Sequence, residues 1–112
     1  MSISLRSERK KARECKDRMD ILYDELSGKV KERNKLQHEL DQLEETLGRY
    51  LDTQPEYVKE DIVKMKDDMA EIHMDIDEIN NEILNTRDEM RRLASEEREH
   101  KGKIMKAVMG IK

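Results

Sequence analysis

The sequence has no phenylalanine and no tryptophan, and its aromatic content is only 3%. A globular core of ordinary type is therefore not expected from its 112 residues. Charged residues make up 45% of the chain, and the hydrophobic residues, mainly Leu, Ile and Met, make up 35%. This composition is typical of long helices and coiled coils, but high charge is also typical of disorder. The periodicity of the apolar residues must decide between the two.

Other absences exclude whole classes of protein. The one cysteine, Cys15, leaves no internal disulfide and fits a reducing compartment. No apolar run approaches the roughly 20 residues that span a bilayer, and the N-terminal "MSISLRSERKK" lacks the apolar core of a signal peptide. No glycine-rich phosphate loop and no nucleophile–base spacing is present. We therefore expect no enzyme, no cofactor and no membrane span, but a cytoplasmic or nuclear segment of a larger protein.

Apolar residues recur at heptad positions a and d on both sides of the one proline, Pro55, which is typical of helices packed along a seam. In the first frame the a positions are Leu5, Ala12, Met19, Leu26, Arg33, Leu40 and Leu47, and the d positions are Glu8, Cys15, Leu22, Lys29, Leu36, Leu43 and Tyr50. In the second frame the a positions are Ile62, Met69, Ile76, Ile83, Met90, Glu97, Ile104 and Ile111, and the d positions are Val58, Met65, Ile72, Ile79, Thr86, Leu93, His100 and Ala107. The second frame is shifted by one residue, which indicates a real interruption.

The interruption coincides with a helix-start signal. Thr53 can serve as an N-cap, Pro55 fits the first turn, and Glu56 completes a T-x-x-E capping box. We therefore predict an all-α, antiparallel coiled-coil hairpin that occupies residues 1–112, with its hairpin turn at Thr53 and Pro55. The predicted elements are a helix over residues 3–51, a turn over 52–55 and a helix over 56–109. A straight parallel dimer is the alternative.

The hairpin predicts a polar layer near its open end, where Glu8 and Ala12 come opposite Glu97 and His100. The E-x-x-H spacing of Glu97 and His100 also occurs in di-iron bundles. Such a site needs a second copy of the motif, which the chain lacks, so we favour a simple polar layer and predict no metal. For Cys15, at a d position, we favour a small buried hydrophobe over a redox thiol.

Charge is unevenly distributed along the chain. Residues 1–35 and 91–112 each carry a net charge of +4, whereas residues 39–90 carry −12. A hairpin would therefore have a basic open end and an acidic tip, which we expect to meet a basic partner surface.

Within "RSERKKARECK" lies a basic cluster, formed by Arg9, Lys10, Lys11 and Arg13. It could contact nucleic acid, acidic lipid or the acidic tails of a cytoskeletal polymer, but we favour a solvated helix face and expect no nucleic-acid binding.

The segment "DDMAEIHMDIDEINNEI", together with "ERNKLQHELDQLEETL", resembles the regulatory antiparallel coiled coil in the stalk of kinesins of the family that includes the chromokinesins. The resemblance covers about residues 29–90. It implies an intramolecular hairpin that holds a motor inactive, or slows microtubule growth, by contacting the motor head. The positions that match are Ile76, Asp77, Ile79, Asn80 and Ile83. A second resemblance is to the Rho-binding helical hairpins of kinases and membrane-bending adaptors.

These observations lead us to expect a non-enzymatic regulatory or scaffolding coiled coil of a cytoskeletal, motor-associated protein in the cytoplasm. It would dock to another part of its own chain or to a protein partner, and could associate weakly with itself. The expected contact residues are Glu56, Glu60, Asp61, Asp77 and Asn80. The alternatives are a hairpin that binds a Rho-family GTPase and a parallel dimeric stalk.

Overall fold

The computed structural model describes residues 4–53 and 59–110, and over these residues the chain is two long helices with no strand. Helix α1 spans Leu5–Thr53 and helix α2 spans Lys59–Met109. The two helices pack against each other in antiparallel orientation, so that the all-α hairpin predicted from the heptads is confirmed. The alternative of a straight parallel dimer does not describe this fold.

The helix ends follow local sequence signals. At the start of α1, the Ser7 N–H donates to Ser4 Oγ over 3.3 Å, which makes Ser4 the N-cap. After α2, Gly110 has a φ of +67°, the left-handed conformation that commonly terminates a helix. Thr53 is the last residue of α1 rather than part of the turn, because nothing before residue 54 opposes a helix. Pro55, and Glu56 of the predicted capping box, lie outside the described residues.

The chain divides into two compact units. Unit 1 comprises Met1–Ser27 and Leu84–Lys112, and unit 2 comprises Gly28–Ile83. In unit 1, Cys15, Leu22 and Leu93 form a buried cluster against which Met19 and Met90 pack. In unit 2, the buried residues are Leu40, Ile76, Ile79 and Ile83. Each unit thus has its own apolar core, with contributions from both helices.

Burial follows the predicted seam closely. Every described residue at a predicted a or d position is buried or half-buried, with the exception of Ala107. Val58 and Ile111 lie outside the described residues. Neither helix, over its described length, has a stretch that is both long and apolar enough to cross a bilayer.

Candidate functional site

Two neighbouring shallow grooves on one side of unit 2 are rimmed by carboxylates from both helices. We call the two grooves together the acidic groove. The carboxylates that border it are Glu32, Glu39, Asp68, Glu71, Asp75, Glu78 and Glu82. Between the rims lie the seam residues Leu36, Leu43, Ile72 and Ile79. No lysine or arginine is among the residues that line the two grooves. The result is an apolar floor with an acidic rim.

The helical repeat explains why these carboxylates share one side. Asp68, Asp75 and Glu82 are seven residues apart, as are Glu32 and Glu39, so each set recurs after about two turns of helix. They occupy g positions, which flank the seam. Because the helices are antiparallel, g positions of α1 lie beside g positions of α2, and the two acidic rows face each other across the groove.

Unit 2 carries an excess of negative charge. The unit contains 16 acidic and 8 basic residues, a net charge of −8. Carboxylates close together repel one another, so the folded unit is less stable than it would be with alternating signs. A basic partner would relieve that repulsion. Groove and charge together give unit 2 a surface that is complementary to a cationic one.

The residues predicted as partner contacts lie only partly near this groove. Glu60 and Asp61 are exposed in the first turn of α2, where carboxylates interact favourably with the positive end of the helix dipole. Asp77 is exposed and Asn80 half-buried, but they hold b and e positions, on the side of α2 away from the acidic groove. Glu56 lies outside the described residues. The role of these five residues as partner contacts stays a prediction.

A second charged surface lies on unit 1. We call it the basic face, and its members are all exposed: Arg6, Arg9, Arg13 and Lys16 of α1, with Arg87, Arg91, Arg98 and Lys101 of α2. They hold b and e positions, which share one side of each helix. Asp20 is the one acidic residue of unit 1 at these positions. The basic face is therefore nearly free of opposing charge along its own rows.

The predicted basic cluster is divided by the structure. Arg9 and Arg13 lie on the basic face and line a shallow groove together with Arg6. Lys10 also borders that groove, but its Nζ lies 4.0 Å from Glu14 Oε1. Lys11 Nζ lies 4.0 Å from Glu8 Oε1. Lys11 therefore lies apart from the other three residues, because adjacent helical positions point in different directions.

The opposite side of unit 1, formed by c and g positions, is balanced in charge. Arg18 Nη2 of α1 lies 3.6 Å from Glu89 Oε1 of α2, an ion pair that joins the two helices. Along α2, Arg92 Nη1 lies 2.7 Å from Glu96 Oε1 and Lys103 Nζ lies 3.9 Å from Glu99 Oε1. These pairs neutralise most of the charge on this side, so the positive charge of unit 1 is concentrated on the basic face.

The predicted polar layer of unit 1 is present. His100 Nδ1 lies 2.6 Å from Glu8 Oε2, and Glu8 is buried. A carboxylate can only accept, so Nδ1–H is the donor. This hydrogen bond, aided by the positive charges of Lys103 and Lys11, lowers the pKa of Glu8. Glu97 pairs with Lys101 instead, over 2.5 Å.

The described residues contain no group of three or more His, Cys, Asp or Glu side chains arranged to hold a metal ion. Cys15 is buried, and its Sγ donates to Glu96 Oε2 over 3.8 Å. Burial, and then the negative charge of Glu96, raises the pKa of the Cys15 thiol. A raised pKa leaves less of the reactive thiolate at neutral pH, which fits the buried, structural role expected for this residue.

Comparison with known proteins adds no family assignment. The chain matches no protein-family model, and no curated protein or solved structure is significantly similar to it.

Proposed function

We propose that this chain is a non-enzymatic coiled-coil hairpin that regulates or scaffolds a cytoskeletal, motor-associated protein in the cytoplasm. It acts by docking the acidic groove of unit 2 against a basic surface, either on another part of its own protein or on a partner. The acidic groove supports this proposal, because seven carboxylates from two helices border an apolar floor there.

The physical basis is electrostatic complementarity around a small apolar contact. The half-buried Leu43 and Ile72 can pack against a partner side chain, while the surrounding carboxylates pair with Lys or Arg. Such a contact depends on salt, because exposed charges are screened beyond about 10 Å at 0.1 M ionic strength. Salt-sensitive, reversible docking suits a regulatory element better than a permanent structural one.

A motor assay tests the proposal. The purified motor head of a chromokinesin-type kinesin is assayed for microtubule-stimulated ATPase activity while the hairpin is added. We expect inhibition by the wild-type chain, and a loss of inhibition with the groove variant, in which Glu71, Asp75 and Glu78 are changed to Lys. These three side chains are exposed, so the variant is expected to fold.

The matched control carries the same change of charge elsewhere on unit 2. Asp41→Lys, Glu44→Lys and Asp67→Lys are exposed positions outside the grooves, and this control should inhibit like the wild type. A further variant, Glu60→Lys with Asp61→Lys, tests the predicted contact at the start of α2. Absence of inhibition by the wild-type chain would exclude the motor assignment. Selective binding to the GTP form of a Rho-family GTPase would replace it.

A further inference from the structure

We infer that the chain binds a second copy of itself, with the basic face of unit 1 on one copy seated against the acidic groove of unit 2 on the other. The proposal goes beyond the function above, since it needs no other protein. A second copy is the expected occupant, because the same chain carries both an acidic and a basic surface of matching size, seven acidic residues and eight basic ones.

The two surfaces also match in spacing. The groove has carboxylates seven residues apart at Glu71 and Glu78, and the basic face has Arg6 and Arg13 at the same interval. Seven residues of helix span about 10.5 Å. Rows of equal spacing can pair along their length when two helical surfaces lie side by side, whereas an irregular patch would satisfy one or two charges only.

Most of the basic face is available for such pairing. Within the described part of the chain, Arg6, Arg9, Arg13, Lys16 and Arg87 take part in no ion pair. A second copy could therefore engage them without breaking an existing interaction. On the other side of unit 1 most charges are already paired, as in Arg18 with Glu89, so that side competes poorly for the groove.

Apolar groups accompany the charges on both surfaces. Tyr23 and Leu84 hold e and b positions beside the arginines, and their exposed fractions are 64% and 56%. The groove offers the half-buried Leu36 and Ile72 between its acidic rims. Contact between these groups would remove apolar area from water, so the association does not depend on charge alone.

Analytical ultracentrifugation of the full chain tests the inference. We expect the average mass to rise above the 13.4 kDa of one chain as concentration increases. Raising the salt from about 0.1 M to about 1 M shortens the screening length from about 10 Å to about 3 Å and should weaken association at least about tenfold. A mass that stays at one chain at every soluble concentration would overturn the inference.

Single-surface variants locate the contact. Both the groove variant and a basic-face variant, Arg13→Glu with Arg98→Glu, should remain monomeric where the wild type associates. The control for the second variant, Arg92→Glu with Lys106→Glu, makes the same change of charge at c positions and should still associate. Circular dichroism verifies that each variant keeps its helical content. Association of either surface variant at wild-type strength would contradict the assignment.

A mixture of the groove variant and the basic-face variant tests directly whether the two surfaces meet. When the groove variant is mixed with the basic-face variant, the new lysines of one can pair with the new glutamates of the other, and the two remaining wild-type surfaces can also pair. We therefore expect the mixture to associate although each variant alone does not. A mixture that stays monomeric would show that these two surfaces do not meet. Since no motor is present, this result is independent of the inhibition assay.

Discussion

At the scale of single residues, Glu8 provides a pH-dependent part of the stability. Its hydrogen bond with His100 lowers its pKa below the ordinary value of about 4.3. A carboxyl whose pKa is lower in the folded than in the unfolded state stabilises the fold above its unfolded pKa, and this contribution is lost as pH falls through the folded pKa. We expect Glu8→Gln to lower stability at pH 7 and to reduce the loss of stability on acidification below about pH 4.3.

The measurement is the urea midpoint of unfolding for wild type and Glu8→Gln at a series of pH values. Glu14→Gln serves as the control, because Glu14 lies six residues further along α1 and is exposed, with Lys10 Nζ 4.0 Å from its Oε1. An exposed pair of this kind contributes little. If Glu14→Gln changed the pH dependence as much as Glu8→Gln, the polar layer would have no special role.

At the scale of the helix, substitutions at two adjacent residues test whether packing along the seam stabilises the fold. Leu22 is 2% exposed within the cluster of unit 1, whereas Ile21 is 51% exposed on the same turn. We expect Leu22→Ala to lower the free energy of unfolding by about 2–5 kcal/mol because it leaves a cavity. Ile21→Ala should change it by about 0.5 kcal/mol or less. Urea titration at low temperature measures the free energy of unfolding of both variants. Equal effects would contradict a stabilising role of the seam.

Two glycines make a second comparison within the helices. Gly28 lies inside α1, is exposed, and has open space where a Cβ would lie. Gly28→Ala should therefore raise the free energy of unfolding by about 0.5–1 kcal/mol, since alanine is the better helix former. Gly110 follows α2 with a φ of +67°, so Gly110→Ala should lower stability. Thermal unfolding followed by circular dichroism measures both changes in stability, and a change of the same sign at both positions would contradict the prediction.

The elements themselves were largely predictable. Burial at a and d positions depends on a periodic pattern that sequence displays directly, and even Lys29 and Arg33 are half-buried as their positions require. The end of α1 was less predictable, because Thr53 suits a helix N-cap as well as a last helical residue. Its assignment depends on the backbone path, which local composition does not determine.

The charged surfaces were harder to predict than the seam. Which carboxylates share a surface depends on the relative direction of the two helices, since antiparallel packing puts g beside g. The acidic tip predicted partner contacts at Glu60 and Asp61, whereas the groove forms around Asp68, Asp75 and Glu82. The seven-residue spacing of these carboxylates was the available signal. It becomes informative only once the antiparallel arrangement is established.

At the scale of the whole molecule, the charge distribution lowers the stability of unit 2. Asp75 has Glu71 one turn before it and Glu78 one turn after it, and like charges at such spacing cost about 0.2–0.5 kcal/mol per pair. Asp75→Lys replaces two repulsive pairs with two attractive ones, so it should raise the free energy of unfolding by roughly 1–2 kcal/mol. It should also weaken the docking proposed for the groove.

Asp67→Lys provides the control for that prediction. Asp67 is also exposed, but its helical neighbours Lys64 and Glu71 carry opposite signs, so the two effects should nearly cancel. Chemical denaturation of the two variants gives the comparison. Stabilisation by both to the same degree would mean that net charge, and not the groove, is responsible.

The Glu8–His100 pair has a consequence for the alignment of the two helices. A uniform apolar seam would let one helix slide along the other by a whole heptad at small cost. Such a slide would place Glu8 against Leu93 or Ala107 in place of His100, leaving a buried carboxylate without its hydrogen bond. An uncompensated buried charge is strongly unfavourable. The pair therefore fixes the register of the two helices within unit 1, so that the rows of α1 and α2 that form the basic face stay side by side.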